Sequence, residues 1–243
     1  RVQLAYGLTD FLTIRAAGSF LEFDRDVVDE FDNELFLLTT ENDGIGDIEV
    51  EAMVKAYESA SVRSLVSLGV ELPTGTIDAE GDNLATGGQT TLPYNMQLGT
   101  GSIAIVPGVT AQTQNEFGTV GLQVKARLRL NNNDREYRYG DEVQASFWGA
   151  YAIADQIAIG SGVRAHRFAG IDGFDPWLDP GRDPAEDVVL SAATRVSIPL
   201  SLNVVLDEGL LAGNAFSFEF DWPVYENFDS FALGTERTFR ITW

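Results

Sequence analysis

The sequence contains no cysteine, a single histidine and two methionines. Without cysteine the fold has no disulfide and no thiolate metal site. Any Ser-His or Asp-His hydrolytic arrangement would have to use His166 as its base. Basic residues are also scarce: 16 Lys and Arg stand against 37 Asp and Glu, a formal net charge of −21. Phosphate recognition needs clustered cations, so nucleic acid is not an expected partner. Apolar runs are short, and no stretch approaches the roughly 18 residues of a membrane helix. Strands are not excluded by that length, because a barrel strand spans with about 10 residues. No zinc spacing or phosphate loop is present, and no cofactor is expected.

What is present is alternation. Val120, Leu122, Val124, Ala126, Leu128 and Leu130 fall on one side of a strand, and Gly121, Gln123, Lys125, Arg127 and Arg129 on the other. A helix would scatter those cations around its axis, whereas a strand gathers them on one face. Ile48, Val50, Ala52, Val54 and Ala56 oppose Glu49, Glu51, Met53, Lys55 and Tyr57 in the same way. Phe216, Phe218, Phe220, Trp222 and Val224 oppose Ser217, Glu219, Asp221 and Pro223. The pattern predicts eleven strands, near 1–8, 11–24, 45–59, 62–73, 97–113, 117–131, 142–154, 156–170, 187–201, 212–226 and 231–243.

Connector length supplies a second signal. Short turns at 8–10, 59–61, 114–117 and 154–156 alternate with long polar loops near 25–44, 74–96, 132–141 and 171–186. Outer-membrane barrels have short periplasmic turns and longer external loops. A soluble sandwich has no reason to sort its connections so, and could not leave so much apolar face in water. The chain ends Thr238-Phe239-Arg240-Ile241-Thr242-Trp243, alternating and closing on an aromatic residue, as such barrels do. The expectation is a single domain over 1–243, an all-β antiparallel transmembrane β-barrel of the bacterial outer membrane. Single-chain barrels have even strand numbers, so about twelve strands are expected, with one preceding Arg1 in a chain that is processed or truncated. Outer-membrane lipid is then one partner.

Charge at mid-membrane on the lipid face costs roughly 2–4 kcal/mol for Arg or Lys, so the apolar faces point outward. The expected lumen carries Arg15, Lys55, Lys125, Arg127, Arg129, Arg164, Arg195 and Arg240, eight cations, against five anions, Glu49, Glu51, Glu71, Glu219 and Asp221, with His166 beside them. The interior is thus expected to be mildly cationic beneath strongly acidic loops. Salt bridging across the lumen would consume most of these charges, with Lys125, Arg127 and Arg129 as the expected unpaired surplus. Tyr6, Trp148, Tyr151, Trp222 and Tyr225 suit aromatic girdles at the membrane interfaces.

Catalysis finds little footing. His166 shares its predicted face with Arg164 and has no partner spaced for a triad. Glu49 with Glu51, or Glu219 with Asp221, nominally supplies the two carboxylates of a glycosidase, but such i, i+2 pairs recur in any polar-lined barrel. Residues 131–134 and the Asp-rich loop at 172–187 carry oxygen donors for Ca²⁺ without an EF-hand spacing. No catalytic residue and no metal site are assigned.

Several short segments then stand out: Leu4 to Thr13, the Gly-Ile-Gly-Asp-Ile stretch at 44–48, Leu72-Pro73-Thr74-Gly75, and Pro93 to Ser102. Tyr137 to Asp141, Trp148 to Tyr151 and Trp222 to Tyr225 continue the series. In order along nearly the whole chain, they resemble the outer-membrane channel family associated with meta-pathway phenol degradation. The resemblance implies a transport barrel for small organic or aromatic compounds and supplies no catalytic residues. The heavy acid load of the loops departs from a greasy entrance for aromatics. The expected function is therefore an outer-membrane channel passing a small-molecule solute. The alternative is a plugged structural or interaction barrel whose acidic loops bind a cation or protein partner.

Overall fold

The structure, a computed structural model, describes residues 1–31, 34–83, 88–181, 183–188, 192–206, 214–228 and 237–242. Eleven strands form one antiparallel sheet: β1 (Val2–Gly7), β2 (Leu12–Gly18), β5 (Ile48–Glu58), β6 (Val62–Leu72), β9 (Ala104–Asn115), β10 (Gly118–Arg129), β12 (Glu142–Ala154), β13 (Ile157–Phe168), β15 (Ala193–Leu206), β16 (Asn214–Phe228) and β17 (Thr238–Thr242). Each pairs with the next in that order, so the sheet is a simple meander. Among the described residues β1 and β17 do not pair with each other, and the sheet keeps two edges. The twelfth strand expected ahead of Arg1 lies outside the described residues, as does Trp243.

Three small sheets stand on the long-loop side. β3 (Phe20–Phe31) and β4 (Glu34–Ile45) form a hairpin, β7 (Glu80–Asn83) and β8 (Gly88–Thr91) a shorter one, and β11 (Tyr137–Arg138) pairs with β14 (Asp172–Gly173). The hairpin corrects the expectation of a plain loop over 25–44 and of one strand over 11–24. Val27, Val28 and the run Leu35 to Leu38 carry the β propensity there, and the surrounding acids hid it. The expected strand at 97–113 begins only at Ala104. Before it, Tyr94–Met96 is a single 3₁₀ turn, and Gly101 sits at φ 67°. That left-handed conformation suits glycine and breaks a strand.

The sheet's two faces differ as the alternation predicts. Leu68, Val109, Leu122 and Leu200 project from the outer face and are 48–57% exposed. With Val54, Val66, Val124, Val163 and Trp222 they form a continuous apolar belt, far more than a water-soluble monomer leaves open. Hydrocarbon is the solvent that such a face fits. The most buried apolar residues are instead in the loops, Leu92, Tyr94, Met96, Leu98 and Tyr137, or near the strand ends that feed them, Ala17, Ala104 and Val106.

Candidate functional site

The opposite face carries the ionisable residues, and their pairing shows that it is concave. In strand order β6 and β9 lie between β5 and β10, which would put those strands about 14 Å apart in a flat sheet. Yet Lys125 Nζ lies 2.9 Å from Glu49 Oε1 and 3.2 Å from Glu51 Oε1, and Arg127 reaches Glu49 at 3.4 Å. Such contacts need a sheet curled toward this face. The intervening positions are small, with Gly69 on β6 and Gly108 on β9 facing the same side. A Cβ on Gly108 would meet Ser67 Oγ at 2.6 Å and Lys125 Cγ at 3.3 Å.

Around that chord the charges form one network. Arg15 on β2 pairs with Glu49 at 2.9 Å and with Glu51. Arg127 also holds Glu71 at 2.9 Å and Glu142 at 2.9 Å, while Arg129 takes the other oxygen of Glu142 at 2.8 Å. His166 Nε2 is 3.3 Å from Glu142, and its ring packs 3.8 Å from that of Phe168. Glu49, Glu51 and Arg129 are almost fully buried, so each depends on its partners to offset lost hydration. A second group lies lower on the wall: Arg164 bridges Glu219 at 3.1 Å and Asp221 at 2.6 Å, and Arg240 reaches Glu219 at 2.6 Å. Lys55 stands apart with Glu58 and Arg63, and Arg195 with Glu226.

Two sequence expectations are thereby corrected. Lys125, Arg127 and Arg129 are not an unpaired surplus. Nor is the expected excess kept, because Glu58, Glu142 and Glu226 add three anions to this face against one further cation, Arg63, which pairs with Glu58. The alternation missed these carboxylates for physical reasons. Glu58 follows a bulge between Lys55 and Tyr57, and Glu226 follows one opposite Val196 and Ser197. A bulge adds a residue and reverses the phase beyond it. The same bulge turns Tyr57 outward, where it is exposed, instead of inward as expected. Glu142 is the first residue of its strand, where phase is least certain.

Above the network the loops close into a cap built from four of the short segments singled out in the sequence. Asp47 Oδ1 accepts from Gly75 N at 2.9 Å. Its Oδ2 accepts from Thr100 N at 2.8 Å and Thr100 Oγ1 at 2.7 Å. Thr74 Oγ1 donates to Gly46 O at 3.0 Å. Backbones touch where Gly75 meets Gly99: a Cβ on Gly99 would lie 2.3 Å from Gly75 O. Tyr139 Oη donates to Tyr94 O at 2.5 Å, and Tyr94 Oη accepts from Asp175 N at 2.9 Å. The Tyr94 and Tyr137 rings meet edge-on at 4.8 Å. Burial holds these phenols neutral: Tyr137 is pushed up to about 12, Tyr139 well above its usual value, and Tyr94 upward. Arg129 links cap to network, with its guanidinium 5.6 Å from the Tyr139 ring and its amide donating to Asp141 Oδ1 at 2.9 Å.

The family described as "Putative MetA-pathway of phenol degradation" matches residues 4–172, more than half of the sequence. The chain belongs to this family. No curated protein matches it. Among solved structures, an outer-membrane channel from Pseudomonas putida F1 superposes with a TM-score of 0.60 at 14% identity, covering 98% of this chain and 78% of that one. The fold is shared with that channel, and the apolar belt on the outer face of the sheet suits lipid. Tyr6, Tyr151, Trp222 and Tyr225 are exposed on the belt face, as expected of girdle residues. Trp148 is not among them: it pairs with Gly121 and Gly162 in the inward-facing rows. Among the described residues no group of three or more His, Asp or Glu is placed to hold a metal ion. Asn133 Oδ1 instead accepts from Arg135 N at 3.0 Å and Tyr137 N at 3.3 Å, so it serves the cap.

Proposed function

We propose that this chain is a passive outer-membrane channel for small solutes, including small organic or aromatic compounds, and that it performs no chemistry. The lumen is the concave face, lined by Arg15, Glu49, Glu51, Glu71, Lys125, Arg127, Arg129 and His166 at the upper level. Arg164, Glu219, Asp221 and Arg240 line the next, with Lys55 and Arg195 toward the margins. The observation that carries this reading is the reach of Lys125 and Arg127 across two intervening strands to Glu49. A face so curled and so polar encloses a water-compatible path, while the belt outside suits lipid. Mixed and paired charges along the lumen favour neutral or zwitterionic solutes over ions of either sign.

Purified protein in planar bilayers should give discrete conductance and should admit small organics in liposome swelling. Replacing Lys125, Arg127 and Arg129 together by Ala leaves Arg15 as the one Lys or Arg of the upper network and should shift the channel toward cation preference. Complete impermeability in both assays, with the protein folded, contradicts the reading.

A second reading, a closed scaffold whose acidic loops bind a partner or cations, draws support from the full pairing of the network and the buried cap. Under that reading the triple replacement lowers stability and opens no conductance.

A further inference from the structure

Below the charge network, on the concave face of β10, β12, β13, β15 and β16, lies a cavity of about 410 Å³. Its lining includes Trp148, Gln123, Gln144, Arg164, Asn203 and Glu219. Trp148 is flanked across the sheet by glycine on both sides, Gly121 on β10 and Gly162 on β13. The indole lies over Gly121, where a Cβ would come within 2.2 Å of its ring. Two neighbours without side chains thus let an aromatic ring lie flat against the wall, with its free face on the cavity. Nothing else in the network or the cap uses this residue.

Phe147, Val163 and Pro199 also line the cavity, and its polar residues are largely committed. Gln123 Nε2 donates to Thr110 Oγ1 at 2.9 Å, and Gln144 Nε2 to Ser146 Oγ at 3.3 Å, leaving the amide oxygens as acceptors beside the ring. Arg164 is held by two carboxylates, one of which also takes Arg240, so the site carries no surplus charge to favour an ion. A cavity of about 150 Å³ already admits benzene, so one ring and its hydrogen-bonded water fit easily. An aromatic face gains, beyond the area buried, from an aromatic ring set against it in offset stacking or edge-on.

We propose that Trp148, backed by Gly121, is the platform of a binding subsite for neutral, planar, single-ring solutes bearing a hydrogen-bond donor. The subsite deepens the channel reading, on which it rests for its access route. Its binding is measured without transport. The test uses the full chain in detergent, with benzyl alcohol as probe and cyclohexylmethanol as its non-planar match, followed by ligand-observed NMR and calorimetry. Benzyl alcohol should bind saturably and at least tenfold more tightly than cyclohexylmethanol. Trp148→Leu should abolish that preference and Trp148→Phe retain it. Gly121→Val, which displaces the indole, should weaken it. Heat-dependent gel mobility confirms that each variant is folded. Equal binding of both probes, or a preference unchanged in Trp148→Leu, overturns the proposal even if the protein conducts. Selective binding in a protein that does not conduct leaves the subsite standing and removes the channel reading.

Discussion

Removing the Asp47 carboxylate should loosen the cap while leaving the sheet intact. Three donors converge on this group: Gly75 N, Thr100 N and Thr100 Oγ1. A hydrogen bond to a charged group contributes roughly 1.5–3 kcal/mol. Asp47 is half-buried, so the lower end applies, and Asp47→Ala should cost the cap about 4 kcal/mol of local opening free energy. Amide exchange reads that loss directly: protection at Gly75 and Thr100 should fall about a thousandfold. Protection of Val124, in the middle of β10, should not change. Asp47→Asn keeps one acceptor oxygen. Turned toward Thr100, that oxygen preserves two of the three bonds, so protection should fall only about tenfold. Unchanged protection at Gly75 and Thr100 in Asp47→Ala would falsify the reasoning, because it would mean that backbone packing alone holds the cap.

Further outcomes follow from the same geometry. Arg127→Met leaves Glu49, Glu71 and Glu142 short of a partner, and breaking such a buried network should cost about 3–5 kcal/mol, read as a lower urea midpoint for unfolding from bilayers. Tyr137 is neutral in the folded protein up to about pH 12. A folded-state value above the ordinary one near 10 means that the folded form holds its proton longer, so stability is complete below pH 10. It should decline from pH 10 to about 12, seen as delayed ultraviolet ionisation of buried tyrosine followed by loss of loop protection. Leu68→Arg places a charge on the belt and should cost roughly 2–4 kcal/mol, whereas Ser217→Arg, on the concave face beside Asn203 and Thr242, should be tolerated in the same unfolding assay.

The sheet was legible because one physical demand repeats along it: every second residue meets lipid. Lys125, Arg127 and Arg129 announce their face by spacing alone, and so do Glu49 and Glu51. Their partners were harder to read, because a single inserted residue near Tyr57 or Val224 reverses the phase and hides Glu58 and Glu226. The segments of the cap stood out in the sequence, but their union into a cap was not legible. It rests on Asp47, Gly75 and Thr100, which are far apart in sequence and joined by side-chain-to-backbone bonds that leave no periodic trace. Trp148 misled for a related reason: an aromatic residue suits the membrane interface as well as the interior, and only its glycine neighbours across the sheet separate the two.

The account stands or falls on which face of the sheet meets lipid. Because the chain has no cysteine, single cysteines can be introduced and spin-labelled one at a time from residue 120 to residue 127 in reconstituted bilayers. Collisions with oxygen, which partitions into lipid, should peak at 120, 122, 124 and 126, and collisions with a water-soluble nickel complex at 121, 123, 125 and 127. A scan with the two peaks exchanged, or with no two-residue period, would contradict it.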